Sequence, residues 1–344
     1  MIRVFVVDDS PFIRKALTRA LGAAGDIRVC GEARSAEEAL RLVPDANPDV
    51  VTLDVAMEGM DGLAALRGLL AWKPSMPVIM LSAHTGKGAA ATLEALSLGA
   101  VDVIDKGDFN LMDLEGLGKR TIEKIRLWRG GRRVTPSTAG DDPLPRGLPD
   151  ASASALCVIG ASTGGPPALQ RLLEKLPVDF PLPIVIAQHM PPGFTKPFAQ
   201  RLNGVCDLRV REAVDGDRVE RGMALIAPAG RHARITRRLT VALSDEPSDA
   251  PHRPSIDLLM SSATVARPGR VLGILLTGMG DDGADGMALI RAQGGITMGE
   301  SEESCVVFGM SRAANERGAV GHLLPLAHIA GWLGGMHLTA TPAR

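Results

Sequence analysis

Short apolar runs alternate with helix-period segments along most of the chain, and each run stops abruptly at glycine or polar residues. In the first third the runs are Ile2–Val7, Val29–Gly31, Val50–Leu53, Val78–Leu81 and Val101–Ile104. Uninterrupted apolar runs of this length predict strands covered on both faces, as in a parallel sheet. The segments between them carry helix start and stop signals. Ser10-Pro11 predicts an N-cap followed by proline at the first helical position, and Gly22 predicts the end of that helix. Ser35 and Glu38 form a capping box ahead of Ala39-Leu40. Five such repeats predict a doubly wound parallel sheet with right-handed crossovers.

The second half repeats the alternation with Leu156–Ile159, Ile184–Ala187, Met223–Ala227, Val271–Leu276 and Ile296–Met298. From Arg234 to Leu243, alternation at Ile235, Leu239 and Val241 predicts an antiparallel ribbon instead. Between the halves, Arg129 to Ser154 is rich in Pro, Gly, Ser and charge and has no apolar period. It reads as a flexible linker, because structureless stretches beyond about 15 residues are uncommon inside compact domains. The expected organisation is α/β, with domains at 1–125 and 155–344 joined by residues 126–154.

Composition narrows the picture. With 39 acidic and 38 basic residues among 344, the net charge of -1 gives no global attraction to nucleic acid or to an anionic membrane. No apolar run approaches the roughly 18 residues of a membrane span, so direct membrane insertion is not expected. The chain begins with a strand followed by acids, which is not a secretory signal. Cys30, Cys157, Cys206 and Cys305 lack metal-site spacing and read as small apolar residues. A reducing cytoplasm is the expected setting.

Chemistry collects at the strand ends. Asp8 and Asp9 end the first strand and Asp54 the third, so all three face the carboxyl edge of the first sheet. Crowded carboxylates repel, and Mg²⁺ relieves the repulsion. Ser82 ends the fourth strand and offers a hydroxyl to a phosphoryl oxygen. Lys106, after the fifth, offers a compact cation. The set predicts a phosphoryl acceptor site with Asp54 as nucleophile.

In the second half, three runs end at members of one hydrolytic toolkit. Leu156–Ile159 leads into G-A-S-T-G-G and Ser162, and Ile184–Ala187 leads into Q-H-M-P-P and His189. Val271–Leu276 leads into T-G-M-G-D-D-G, with Asp281 and Asp282. Strand ends share one edge, so a hydroxyl, an imidazole and a carboxylate meet there although far apart in sequence. The residues alone leave Asp281 and Asp282 as alternatives for the acid, with a helix N-cap pair as the bland reading. The glycine-rich turn around Ser162 suits an oxyanion or a phosphate at a helix start.

Residues 1–125 resemble a bacterial response-regulator receiver domain, through V-V-D-D-S, L-D-V-x-M-x-x-M-D-G from Leu53 to Gly62, Ser82-Ala83, and Gly99-Ala100 ahead of Lys106. The resemblance implies a flavodoxin-like fold, phosphorylation of Asp54 by a histidine kinase, and Mg²⁺ held by Asp8, Asp9 and Asp54. The chain departs from that pattern at Glu58, Val103 and Gly107, where the family usually has Pro, an aromatic residue and Pro.

Residues 155–344 resemble the catalytic domain of chemotaxis-type protein-glutamate methylesterases. The carriers are I-G-A-S-T-G-G, Q-H-M-P-P-G-F-T, I-A-P-A-G-R-H, H-R-P-S-I-D, L-L-T-G-M-G-D-D-G-A-D-G-M and S-C-V-V-F-G-M. This implies a larger Rossmann-like α/β domain with a triad of Ser162, His189 and Asp282. It also implies that Thr163 and the Met279 backbone border the oxyanion and substrate region. The expected substrates are methyl-esterified glutamates on cytoplasmic helices of chemoreceptors, with methanol released, no cofactor for the esterase, and glutamine deamidation in some members. The rival reading is a receptor-binding adaptor or phosphate sink that does no chemistry.

Other patches have plainer readings. Arg14-Lys15 reads as an exposed helix face, and Arg231-His232-Ala233-Arg234 with Arg237-Arg238 as a solvated ribbon or a surface for an acidic receptor helix. His252–Ser255 is expected in a loop beside the substrate groove.

Overall fold

The computed structural model describes residues 1–57, 59–82, 86–106, 114–128 and 154–336. They form two compact units. In the first, β1 (Ile2–Val7), α1 (Pro11–Gly22), β2 (Ile27–Ala33), α2 (Ala36–Ala46) and β3 (Val50–Asp54) come first, then α3 (Gly62–Trp72), β4 (Val78–Ser82), α4 (Gly86–Leu98), β5 (Asp102–Asp105) and α5 (Leu114–Leu127). The strands pair in parallel in the order β2-β1-β3-β4-β5. The predicted caps form: the Ile13 amide donates to Ser10 Oγ, and the Glu38 amide to Ser35 Oγ. Helix α5 continues to Leu127, two residues past the expected domain edge, because Ile125 and Trp128 are buried. Residues 129–153 of the expected linker, with Glu58, Ala83 and Gly107, lie outside the described residues.

The second unit contains β6 (Leu156–Ala161), α6 (Gly165–Leu173), β7 (Ile184–Gln188), α7 (Thr195–Val205), β8 (Arg209–Glu212) and β9 (Met223–Ile226). It continues with β10 (His232–Ile235), β11 (Val241–Ser244), α8 (Ile256–Ala266), β12 (Val271–Leu275) and α9 (Ala284–Ala292). It ends with β13 (Ile296–Glu300), α10 (Met310–Glu316), β14 (His322–Leu324) and α11 (Leu326–Gly334). Seven parallel strands run in the order β14-β13-β12-β6-β7-β9-β8, and β10–β11 form the separate antiparallel ribbon. The central strands β6, β7 and β12 are buried throughout, as their apolar runs require. Both sheets are doubly wound, in agreement with the pattern.

The topology positions the chemistry. From β6 the chain winds first towards β7 and later to the other side through β12. The order therefore reverses at β6, and a crevice opens at its carboxyl end. Ser162 follows β6 directly and His189 follows β7 directly. The first sheet reverses in the same way at β1, between β2 and β3, beside Asp8 and Asp54.

Candidate functional site

The turn after β6 depends on glycine. Gly164 sits at φ 78°, and a Cβ there would lie 2.5 Å from the Val306 side chain. The turn leaves the Ser162 hydroxyl beside His189, with Oγ 3.2 Å from the imidazole Nδ1. On the far side of the ring, Nε2 lies 2.9 Å from Asp282 Oδ2. This network assigns the proton to Nε2 and leaves Nδ1 to accept from the serine.

The two adjacent acids part company. Asp281 faces outward and pairs with Arg317 at 2.5 Å. Asp282 turns inward but caps no residue of its own helix, where Gly283 occupies the N-cap of α9 without a side-chain bond. It sits instead on the N-terminus of α8. The Ile256 amide donates to Oδ2 at 2.9 Å, the Asp257 amide to Oδ1 at 2.9 Å, and Ser255 Oγ to Oδ1 at 3.1 Å. Asp257 returns the arrangement by accepting from the Gly286 amide of α9 at 2.7 Å. Burial opposes the Asp282 charge, but the His189 bond and the α8 amides outweigh it and hold its carboxyl well below the ordinary range.

Gln188 and Thr277, to which the motifs assign no role, fix the two turns. The Gln188 carboxamide donates to the carbonyls of Ser162 and His189, both at 2.9 Å. Thr277 accepts the Ser162 amide at 3.0 Å and donates through Oγ1 to the Thr163 carbonyl at 2.9 Å. The Thr277 amide itself donates to buried Glu300 at 2.8 Å. With the Ser162 amide occupied, the Thr163 and Met279 amides remain without a hydrogen-bond partner among the described residues. These are the two residues expected to border an oxyanion, and Met279 is 46% exposed on this edge. A polar residue closing an apolar strand, as Gln188 does, is the sequence signal for this layer.

His252 stacks on His189, with ring centroids 4.3 Å apart and planes inclined by 23°. The basic cluster is not uniformly solvated. His232 is fully buried, accepting from the Ser255 amide at Nδ1 and meeting the Pro247 carbonyl at Nε2. Arg231 pairs with Asp245 across the ribbon at 3.1 Å.

In the first unit, Asp8, Asp9 and Asp54 each offer a carboxylate oxygen, and these oxygens lie within 4.8 Å of one another. Asp8 and Asp54 are buried and Asp9 is exposed. Lys106 Nζ reaches Asp54 at 2.8 Å and Asp8 at 3.2 Å. Burial, opposed by Lys106 and assisted by Asp8, pushes the Asp54 carboxyl up to about 6. Burial likewise raises Asp8. An oxygen-only donor set with surplus, poorly solvated negative charge fits a hard divalent cation. Ser82 lies at the end of β4, where Thr92 Oγ1 of α4 donates to its hydroxyl at 2.9 Å. Arg14, expected on an exposed face, instead donates to the Asp8 and Asp9 carbonyls at 2.7 and 3.1 Å and steadies that turn.

A family model described as CheB methylesterase matches residues 157–333, and one described as response regulator receiver domain matches residues 4–115. Protein-glutamate methylesterase/protein-glutamine glutaminase 1 of Oleidesulfovibrio alaskensis is 42% identical over 361 residues, covering 96% of this chain and 98% of that one. The protein-glutamate methylesterase/protein-glutamine glutaminase of Archaeoglobus fulgidus is 41% identical over 338 residues, covering 96% of both. The crystal structure of the Thermotoga maritima CheB methylesterase catalytic domain is 38% identical to this chain, with a TM-score of 0.49, covering 53% of this chain and 97% of that one.

Proposed function

The chain belongs to the CheB methylesterase family, and on that premise we propose that Ser162, His189 and Asp282 are the residues with which it hydrolyses glutamate methyl esters on chemoreceptors. It is a chemotaxis methylesterase carrying a response regulator receiver domain. The observation that carries the residue assignment is the continuous bonded path from Ser162 Oγ through both His189 nitrogens to Asp282.

In the proposed cycle, His189 Nδ1 takes the Ser162 proton as Oγ attacks the ester carbonyl carbon. The carbonyl electrons move onto oxygen, and the free amides of Thr163 and Met279 receive that oxyanion. Asp282 stabilises the imidazolium through Nε2. The tetrahedral intermediate collapses, the C–O bond to methoxide breaks, and His189 returns the proton, releasing methanol. Water, activated by the same imidazole, then cleaves the acyl-enzyme to glutamate and free serine. Attack on a glutamine carboxamide follows the same path with ammonia as the leaving group.

Regulation enters through the receiver. Asp8, Asp9 and Asp54 would hold Mg²⁺, which neutralises charge on the incoming phosphoryl group. Asp54 would be the acceptor from a histidine kinase, with Lys106 and the Ser82 hydroxyl receiving phosphoryl oxygens. The cytoplasm, where the receptor helices lie, would be the place of work. Among the described residues no helix is long and apolar enough to cross a membrane. Residues past α5 and up to β6 would form the connection between the domains.

Methanol release from methylated receptor fragments tests the assignment. Ser162→Ala is expected to remove about 10⁴-fold or more of the activity, as loss of a triad nucleophile does. Release that continues unchanged would leave the adaptor or phosphate-sink reading in its place.

A further inference from the structure

Two in-plane hydrogen bonds at opposite ends of an imidazole fix an axis, not a plane. His189 is bonded at Nδ1 to Ser162 and at Nε2 to Asp282. The tether at Cβ limits what is left to a rocking of the ring plane about that line, taken up by small concerted changes in the side-chain torsions, and the ring torsion is broad enough to allow it. A contact on the ring face removes that freedom. Resting on the triad reading above, we propose that His252 is a positioning residue that holds the plane of His189 by stacking on it.

The placement of His252 is built, not incidental. Its ring makes no hydrogen bond among the described residues, so the stack is its defined contact. The backbone just after it is pinned at two points. The Arg253 carbonyl accepts from the Gly230 amide at 3.0 Å, and the Ser255 amide donates to buried His232 at 3.2 Å. Just beyond Ser255, the amides of Ile256 and Asp257 hold Asp282. A single stretch, 252–257, therefore fixes both the acid and the face of the base.

The stack also has an electrostatic sense. His189 becomes a cation during attack, and the face of a neutral aromatic ring stabilises an adjacent cation. His252 is itself exposed, yet partial desolvation against its neighbours and, after it, the nearby His189 lower its proton affinity below the ordinary histidine value, against the pull of Asp282 and Asp281. A protonated ring there would oppose the imidazolium.

The experiment uses the full chain, with methanol release measured as kcat, KM and a pH profile for wild type, His252→Ala, His252→Phe and His252→Lys. Removing the ring is expected to lower kcat about 10- to 50-fold with KM within about twofold, an effect of the size seen for misplaced catalytic groups. Phenylalanine, which keeps a flat neutral face, is expected to restore kcat to within about threefold of wild type. Lysine places a fixed positive charge beside His189, so the acid limb of kcat/KM moves to lower pH by about one unit. A role confined to folding would not move that limb. If the alanine chain does not fold, the Phe and Lys chains decide the matter through the same profile. An alanine variant with kcat within twofold of wild type, a loss confined to KM, or an acid limb unmoved by lysine overturns the proposal. Ser162→Ala measured alongside separates the two levels: release that survives it sinks the triad, whereas a silent Ser162→Ala beside an unaffected His252→Ala sinks only the stacking role.

Discussion

Asp54 and Asp282 are the same residue type at the same kind of place, the carboxyl edge of a buried parallel sheet, and their charges are treated in opposite ways. Asp282 receives His189 Nε2, Ser255 Oγ and two amides from the start of α8. Its charge is fully accommodated, and its carboxyl is held low. Among the described residues Asp54 receives only the Ala56 amide at 3.3 Å and the shared Lys106, with buried Asp8 beside it. Its carboxyl is pushed up to about 6. The sheet edge thus supplies a location, and the number of donors brought to it decides the chemistry. A saturated carboxylate orients a neighbour and steadies the charge that forms on it. An undersupplied one has open valence for a cation or a phosphoryl group.

The comparison breaks hardest at Asp282. Replacing it with Asn keeps the shape but presents an amide where Nε2–H needs an acceptor, which drives the imidazole towards the wrong tautomer. Methanol release by Asp282→Asn is expected to fall about 10⁴-fold, the size of effect known for this change in a Ser-His-Asp site. Asp281→Asn is expected to stay within about twofold, since among the described residues the Asp281 side chain pairs only with an exposed arginine and such pairs contribute little. Comparable losses in the two variants would show that saturation by α8 does not single out the acid.

This choice between adjacent acids also marks where the sequence runs out. The central strands, the doubly wound sheets and the convergence of Ser162, His189 and an aspartate are legible, because apolar runs end at chemical residues. Which aspartate is used is not legible from the residues themselves. The deciding donors are backbone amides at Ile256 and Asp257, 26 and 25 residues earlier, and backbone amides leave no trace in composition. Family resemblance points to Asp282, and the capping of a foreign helix gives the physical reason. The burial of His232 is hidden for a related cause: a histidine among arginines looks solvated until the fold places it under the N-cap of α8. Strands β8 and β14 escape the apolar pattern because one is an alternating R-V-R-E edge and the other only three residues long. The receiver cluster is readable as a set, because its members sit within one or two residues of strand ends.

A smaller effect sharpens the receiver side. The folded Asp54 carboxyl sits at about 6, above the ordinary 3.8. Between those values the folded chain keeps a proton that the unfolded chain has released, so this group's contribution to stability falls as pH rises through that window. At pH 7, Asp54→Asn is expected to stabilise the receiver by about 1–3 kcal/mol, since each tenfold difference in proton affinity between folded and unfolded chain is worth roughly 1.4 kcal/mol. At pH 4 the gain should vanish. Denaturant unfolding of the full chain, followed through its receiver transition at both pH values, measures this. A variant less stable than wild type at pH 7 would mean that the Lys106 pairing dominates over burial and Asp8.

By the same imbalance Mg²⁺ is expected to act as a stabilising ligand, with the smallest effect of the set. Binding to the folded form alone at ten times the dissociation constant stabilises by about 1.4 kcal/mol. The pH dependence carries the argument, because a proton on Asp54 competes with the metal for the same oxygens. The shift in the receiver transition caused by Mg²⁺ should therefore be small at pH 5 and grow towards pH 7, and Asp54→Asn should shrink it at pH 7. The triad half offers the contrast: Asp282 has no free valence, so its unfolding transition should not respond to the metal at either pH. Stabilisation by Mg²⁺ that is equal at pH 5 and pH 7 would place the ion away from Asp54. The raised carboxyl would then be an ordinary consequence of burial rather than the mark of a site built to be neutralised.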